Sequence, residues 1–222
     1  MDYEKARFNM VEQQIRPWEV LDPAVLELLI TLKREDFVPP AYRAIAFTDM
    51  EIPLGHGQAM MAPKVEAKLL QEVGIQPGDT VLEIGTGSGY MTALLAKHAI
   101  HVTSIEYHAD LSRDAAARLS KAGITNIQLI VGDAAVSPAP FVPPDRNTFD
   151  VIVLTGSVPV VPPAFLDALK DNGRLIAVVG DAPAMKATLF TKTANAQFAS
   201  KELFETVLTP LINAAQPSRF SF

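Results

Sequence analysis

Residues 79–90 read DTVLEIGTGSGY, a short apolar run followed by three glycines at alternate positions. Apolar runs of this length are typical of strands that are buried on both faces of a parallel sheet. Gly85, Gly87 and Gly89 then permit positive φ angles and let the backbone approach a ligand closely. A helical pattern begins at Tyr90. The stretch therefore predicts a strand, a ligand-binding turn and a helix, in that order.

The same alternation of strand and helix continues along the chain. Further strands are predicted at residues 101–106, 127–133, 149–156 and 173–180. Two more strands, at residues 187–193 and 201–211, have no helical pattern between them, which predicts an antiparallel hairpin at one edge. Because alternating strands and helices form right-handed crossovers, the sequence predicts an α/β fold with a doubly wound sheet of seven mostly parallel strands.

The region before the predicted sheet lacks this alternation of strands and helices. Residues 1–16 predict a helix with Phe8, Val11 and Ile15 near one face. Asp22 and Pro23 are typical of a helix start, and residues 64–73 predict another helix, whereas the proline-rich stretch 37–63 predicts irregular chain. We therefore divide the chain into three parts. These are an N-terminal helical extension with a substrate loop (residues 1–74), a cofactor-binding domain (75–211) and a loose tail (212–222).

Composition narrows the class of function. The chain has 222 residues, a net charge of −6 and no cysteine. The negative charge argues against a nucleic-acid partner, which would favour a basic surface. The first residues are charged and polar, and no apolar run approaches the roughly 20 residues needed to cross a bilayer. The sequence thus predicts a cytoplasmic protein with no membrane or nucleic-acid partner.

Three acidic residues lie at the ends of three successive predicted strands. Glu83 precedes the glycine turn, Glu106 closes the second strand and Asp133 closes the third. We expect Glu83 to receive an ammonium group, Glu106 to accept both hydroxyls of a ribose and Asp133 to reach an adenine amino group. The helix start after the turn suits a carboxylate. These groups together predict S-adenosylmethionine as the cofactor. Tyr90, where the dinucleotide fingerprint needs a glycine, argues against a dinucleotide.

Longer motifs identify a family. The stretches REDFVPPAYRAIAFTDMEIPLGHGQ (34–58) and VLEIGTGSGYMTALLA (81–96) resemble the protein-L-isoaspartate O-methyltransferases. The resemblance implies a Rossmann-like methyltransferase fold with an N-terminal helical extension. It also implies methyl transfer from S-adenosylmethionine to the side-chain carboxylate of an L-isoaspartyl residue, whose ester collapses to a succinimide that reopens partly as aspartate. The predicted cofactor-binding residues are Gln58, Glu83, Gly85, Thr86, Gly87, Gly89, Glu106, Tyr107, Asp133 and Ala134.

The substrate half of the family motif is altered in this chain. Where the resemblance implies Thr-Ile-Ser after GHGQ, with the serine in the active site, this chain has Ala59, Met60 and Met61. Met61 is therefore the predicted catalytic position. Three hypotheses follow. The chain methylates isoaspartyl residues in proteins or peptides, or methylates another acceptor such as a small apolar molecule, or binds the cofactor without catalysis as an interaction protein. The methionines equally suit simple packing under a loop.

The chemistry of carboxylate methylation needs few special groups. A carboxylate is already ionised near neutral pH, so no general base is required, and the enzyme mainly aligns the two reactants. We accordingly expect no Ser-His-Asp set and no metal site. The four histidines, His56, His98, His101 and His108, show no ligand spacing with carboxylates along the sequence.

Overall fold

The computed structural model describes residues 2–139, 141, 148–193, 195 and 197–216. Within these residues the chain forms six α-helices and nine strands. The helices are α1 (Tyr3–Met10), α2 (Pro23–Thr31), α3 (Pro63–Val73), α4 (Tyr90–His98), α5 (Ala109–Lys121) and α6 (Pro163–Ala168). The strands are β1 (Ile52–Gly55), β2 (Gln58–Met60), β3 (Thr80–Ile84), β4 (His101–Glu106), β5 (Ile127–Val131), β6 (Phe149–Leu154), β7 (Leu169–Asp181), β8 (Ala184–Lys192) and β9 (Phe198–Glu205).

Seven of the strands form one sheet in the order β5-β4-β3-β6-β7-β8-β9. The pairs from β5 to β7 are parallel, and β7-β8 and β8-β9 are antiparallel. This confirms the predicted sheet and its edge hairpin. The chain passes from β3 outward to β4 and β5, and then crosses back to β6 on the other side. The topological switch point therefore lies between β3 and β6, where such sheets bind their ligands.

The central strands are buried on both faces. Val81 and Leu82 are neighbours in β3, yet Val81 packs in the core cluster that includes the N-terminal extension, and Leu82 packs in the cluster on the opposite face that includes Phe165. Successive side chains of a strand point to opposite faces, so helices on both sides require an apolar residue at nearly every position. This double burial explains the nearly continuous apolar runs of the sequence.

The N-terminal extension is held by capping and by buried ion pairs. Asp22 accepts a hydrogen bond from the backbone N–H of Ala24 and caps α2, as predicted. The predicted face of the first helix was wrong at Phe8, which is 54% exposed. Arg7 takes the buried position instead, because it pairs with the buried Glu35. Beyond Met10 the chain continues as a wider π-helical turn and ends in a short 3₁₀ turn.

The stretch 37–63 is more ordered than predicted. Strands β1 and β2 form an antiparallel hairpin, with Ile52 opposite Met60. Its turn has positive φ angles at Gly55, His56 and Gly57. A strand of three or four residues has too short a pattern to be detected by periodicity, and its prolines argued against a sheet. The predicted substrate loop is therefore a hairpin.

The end of the sheet also differs from the prediction. Strand β9 stops at Glu205, and the following residues leave the sheet and run past the end of β6, where the N–H of Ser157 donates to the carbonyl of Thr209. The start of the predicted tail also contacts the end of β5, since Asn213 donates a hydrogen bond to the side chain of Asp133 at 2.6 Å. Residues 217–222 of that tail lie outside the described residues. Among the described helices, not one is long and apolar enough to cross a membrane.

Candidate active site

A cavity of about 680 Å³, part of it open to solvent, lies across the switch point of the sheet. Its walls come from the carboxyl ends of four neighbouring parallel strands and from the β1-β2 hairpin. The strand ends contribute Gly85, Gly87, Glu106, Tyr107, Gly132, Asp133, Thr155 and Gly156, and the hairpin contributes Leu54, Gln58 and Ala59. Because these strands are parallel, their carboxyl ends meet at one edge, and residues from distant parts of the sequence converge there.

The glycine turn has the backbone conformation that the sequence predicts. Gly85 has φ +99° and Gly87 has φ +54°. The hydroxyl of Thr155 shares its one hydrogen between the carbonyls of Ile84 at 2.8 Å and Gly85 at 2.5 Å, and a Cβ atom at position 85 would collide with the hydroxyl oxygen. A residue without a side chain is therefore needed at Gly85 both for the backbone angle and for space.

The amides of this turn are not bare, contrary to the expectation of an anion site. The N–H of Gly85 donates to the carbonyl of Ile105, and that of Gly89 donates to the carbonyl of Thr86. The N–H of Gly87 donates to Glu106 Oε2 at 2.8 Å. Strand β4 and the turn itself thus accept these three hydrogen bonds, so the three amides are not free for the cofactor's carboxylate, which was predicted to bind at the helix start after the turn.

Glu106 lies where a ribose-binding residue is expected. Its side chain lines the cavity and is 5% exposed. Oε2 accepts from Gly87 and Oε1 accepts from the N–H of His108 at 3.0 Å. A carboxylate offers about four lone-pair positions, so each oxygen keeps one acceptor position for a further donor. Two backbone bonds thus orient Glu106 and leave it able to accept two hydroxyls.

Other predicted cofactor residues join the same cavity. Gln58, Tyr107, Asp133 and Ala134 all line it. Asp133 is held by Asn213 and, more weakly, by the N–H of Ala135 at 3.3 Å. The structure therefore brings together residues 58, 106–107 and 133–134, which come from the hairpin and from the ends of β4 and β5.

Three predicted residues are not among the described residues that line this cavity. Glu83 is fully buried and accepts hydrogen bonds from Thr92 at 2.5 Å and Ser104 at 2.6 Å. Burial raises the pKa of Glu83 to about 8. A carboxyl group that is enclosed and largely neutral near pH 7 is not placed to receive an ammonium group, so we correct that expectation. Gly89 instead lets α4 pack against Ala115 of α5, and Thr86 lines a second cavity.

The second cavity has an empty volume of about 290 Å³ and adjoins the first. The two share Leu54, Ala59, Met61, Gly85, Gly87 and Thr155 as lining residues. Met60, Met61 and Met91 give the smaller cavity an apolar wall, and Glu66 adds one carboxylate. Both Met60 and Met61 also belong to the hydrophobic core. The methionines therefore pack in the core and border the site as well.

Arg34 fixes the backbone of the predicted catalytic position. Its side chain is fully buried, donates to the carbonyl of Met61 at 2.7 Å and pairs with Glu66. Burial raises the pKa of Glu66 to about 7, although the charge and hydrogen bond of Arg34 oppose this shift. The ion pair thus anchors the end of the hairpin next to the glycine turn.

Several lining residues were missed in the sequence. Thr155 follows β6, and the argument from strand ends that selected Glu106 and Asp133 would also have found it. Leu208, Thr209, Leu211 and Ile212 line the cavity too. The first three were predicted as part of a strand and Ile212 as part of the tail, and only the path of the chain after β9 brings these four residues to the site.

The histidines also differ from the expectation based on spacing. His56 Nε2 lies 2.8 Å from Asp110 Oδ2, and the rings of His56 and His108 stack with centroids 4.0 Å apart. His56 belongs to the hairpin turn, whereas His108 and Asp110 lie at the start of α5. Residues more than 50 positions apart therefore form a cluster of the kind that could hold a metal ion.

The doubly wound sheet, its glycine turn and the cavity across the switch point define the class of Rossmann-like S-adenosylmethionine-dependent methyltransferases. The family model described as protein-L-isoaspartate(D-aspartate) O-methyltransferase (PCMT) matches residues 5–216, and the chain belongs to this family. It is therefore a methyltransferase enzyme that uses S-adenosylmethionine.

Individual relatives agree with this assignment. A protein-L-isoaspartate O-methyltransferase of Koribacter versatilis is 35% identical over 93% of this chain and 90% of its own length. One of Methanoculleus marisnigri is 39% identical over 79% of this chain and 78% of its own. A crystal structure of such a methyltransferase from Plasmodium falciparum, in complex with S-adenosyl-L-homocysteine, superposes with a TM-score of 0.79, covers 95% of this chain and 98% of its own, and is 20% identical. This structure supports the fold.

Proposed function

We propose that this enzyme transfers the methyl group of S-adenosylmethionine to the side-chain carboxylate of an L-isoaspartyl residue in a protein or peptide. Family membership across residues 5–216 carries the proposal. The attacking carboxylate is ionised at neutral pH, so the reaction needs alignment of the sulfonium methyl with a carboxylate oxygen and no general base. The methyl ester that forms then collapses to a succinimide. We retain a cytoplasmic location as part of this proposal.

The proposal assigns the larger cavity to the cofactor. Glu106 accepts the ribose hydroxyls, Asp133 and Ala134 contact the adenine, and Gly85, Gly87, Gln58 and Tyr107 complete the walls. The smaller cavity beside Met61 is then assigned to the methyl acceptor, because it shares the glycine turn with the cofactor cavity. Thr86 borders this smaller cavity. The same proposal divides the chain into an extension (1–74), a cofactor domain (75–211) and a tail (212–222). Residues 211–213, at the start of the tail, contribute to the cofactor site.

The test of the proposed function is transfer of a labelled methyl group to an isoaspartyl peptide. The same peptide with a normal aspartyl residue is the control. We expect slow label incorporation into the isoaspartyl peptide and none above background into the aspartyl peptide. Both residues carry a carboxylate, but the isoaspartyl carboxylate is attached directly to Cα, whereas the aspartyl carboxylate is one methylene group further from the main chain and is not aligned with the methyl group. Equal labelling of both peptides, or no labelling of either, would refute the assignment.

A second prediction concerns the cofactor alone. Glu106→Gln is expected to lower the affinity for S-adenosylhomocysteine about tenfold or more, since hydrogen bonds to a charged group contribute roughly 1.5–3 kcal/mol. The amide group of glutamine would also face the N–H donors of Gly87 and His108. Calorimetry measures the affinity, and Glu27→Gln on the exposed face of α2 is the matched control. Equal binding by wild type and Glu106→Gln would remove Glu106 from the site.

One observation favours a second acceptor class. Three methionines border the smaller cavity, and methionine side chains adapt to apolar ligands of varied shape. A small apolar molecule with a nucleophilic oxygen or nitrogen is therefore the alternative acceptor. Inhibition of isoaspartyl methylation by such molecules would indicate that they occupy this cavity.

A further inference from the structure

The cluster of His56, His108 and Asp110 lies outside the proposed cofactor and acceptor cavities. One potential ligand atom from each residue lies within 4.8 Å of the others. The side chains of His56 and Asp110 are 43% and 50% exposed, so an ion can reach them from solvent. His108 Nε2 is buried and has no hydrogen-bond partner among the described residues.

The residue types suit a divalent transition metal. Imidazole nitrogen and carboxylate oxygen bind Zn²⁺ at about 2.0–2.2 Å, which places tetrahedral ligand atoms roughly 3.3 Å apart. His56 Nε2 and Asp110 Oδ2 already lie 2.8 Å apart, at hydrogen-bond distance. The stacked rings must turn so that each nitrogen points at the ion, and the exposure of His56 permits that rotation. A set of three ligands leaves a fourth position for water.

We propose that His56, His108 and Asp110 bind one divalent transition-metal ion, with Zn²⁺ as the probe, and that the ion ties the β1-β2 turn to the start of α5. Both elements adjoin walls of the cofactor cavity. Leu54 and Gln58 flank the turn, and Glu106 and Tyr107 directly precede His108. The bound ion therefore joins two walls of that cavity and slows the exchange of its contents.

The alternative is that the histidine–aspartate hydrogen bond and the ring stacking only pack the turn. A calorimetric titration of the untagged protein with Zn²⁺ in a non-chelating buffer distinguishes metal binding from simple packing of the turn. We expect one Zn²⁺ per chain in wild type and binding at least about tenfold weaker in His56→Gln and Asp110→Asn, because the loss of even a residue that only supports a ligand lowers metal affinity about 10- to 100-fold. His101→Gln and Asp114→Asn are the matched controls, one for each type of ligand. Asp114 lies on the same helix as Asp110 and is 48% exposed.

A readout on wild type alone makes the test independent of how the variants fold. In NMR spectra of the histidine rings, Zn²⁺ should shift the signals of His56 and His108 and leave those of His98 and His101 unchanged. Absence of saturable binding overturns the proposal. Binding that is equal in all variants, or weakened equally by the controls, also overturns it, as do shifts in all four histidines.

The effect on exchange rests on the proposed cofactor site and is measured separately. Zn²⁺ should slow the release of S-adenosylhomocysteine from wild type and leave its release from His56→Gln unchanged. The Zn²⁺ titration requires no methyl transfer, so failure of isoaspartyl methylation leaves the metal site intact. Zinc binding without a change in release would overturn the link between the two walls but not the metal site.

Discussion

The double substitution of Ala59 by threonine and Met61 by serine is expected to raise the rate of methyl transfer to an isoaspartyl peptide about 10- to 150-fold. The range corresponds to one hydrogen bond of roughly 1.5–3 kcal/mol to a charged group, made mainly in the transition state. Ala59 and Met61 both line the two cavities, so hydroxyl groups at these positions would face the proposed acceptor side. A serine also frees the volume that the methionine side chain now occupies.

The backbone needed for this gain is already in place. Arg34 holds the carbonyl of Met61, and the strand pairing of β1 with β2 holds Ala59 opposite Pro53. New side chains at these positions therefore start from an ordered main chain. The substitution of Met61 removes a core side chain that is 5% exposed, so the variant is expected to be less stable while being faster.

Transfer of a labelled methyl group under saturating cofactor measures this prediction. Met10→Leu is the matched control, because Met10 is buried in the same core cluster, lines neither of the two cavities, and leucine conserves its volume. Its transfer rate should stay close to that of wild type. Fast transfer by wild type that is unchanged or reduced in the double variant would mean that the methionines serve only for packing. Slow transfer by both proteins would favour another acceptor.

The second large effect is on stability as a function of pH. The pKa of Glu83 is raised from 4.5 to about 8. Burial is the largest cause, hydrogen bonds from Ser104 and Thr92 oppose it, and the charges of Glu106 and Glu66 add to it. Between these two pKa values the folded protein binds a proton that the unfolded chain releases. The contribution of Glu83 protonation to the free energy of unfolding is therefore complete below about pH 4.5 and is lost as the pH rises toward 8.

Glu83→Gln removes this titration and keeps a neutral side chain of the same shape. The free energy of unfolding of the variant should rise relative to wild type by about 2–4 kcal/mol between pH 5 and pH 8, since one proton contributes roughly 1.4 kcal/mol per pH unit. Urea denaturation at several pH values measures the difference. The exposed Glu27→Gln should follow wild type at every pH. Parallel curves for Glu83→Gln and wild type would show that Glu83 is ionised in the folded protein.

The sequence by itself determined the sheet and the position of the site along it. Strands buried on both faces require apolar runs, as in residues 151–154 and 175–178, and such runs are visible without a structure. The glycine turn and Glu106 could be selected because parallel strands place their carboxyl ends at one edge. The acidic residues at the strand ends predicted S-adenosylmethionine as the cofactor, and the family motifs agreed with that prediction.

Only the tertiary structure decided what surrounds these residues. Burial changed the assignment of Glu83, because a residue near the end of a strand can point into the core as well as into a cavity. The path of the chain after β9 brought Leu211 and Asn213 to the site, and no local pattern encodes that path. His56 and Asp110 come together because the hairpin turn lies against the start of α5. A sequence pattern reports only neighbours along the chain, whereas contacts between distant elements depend on how those elements pack.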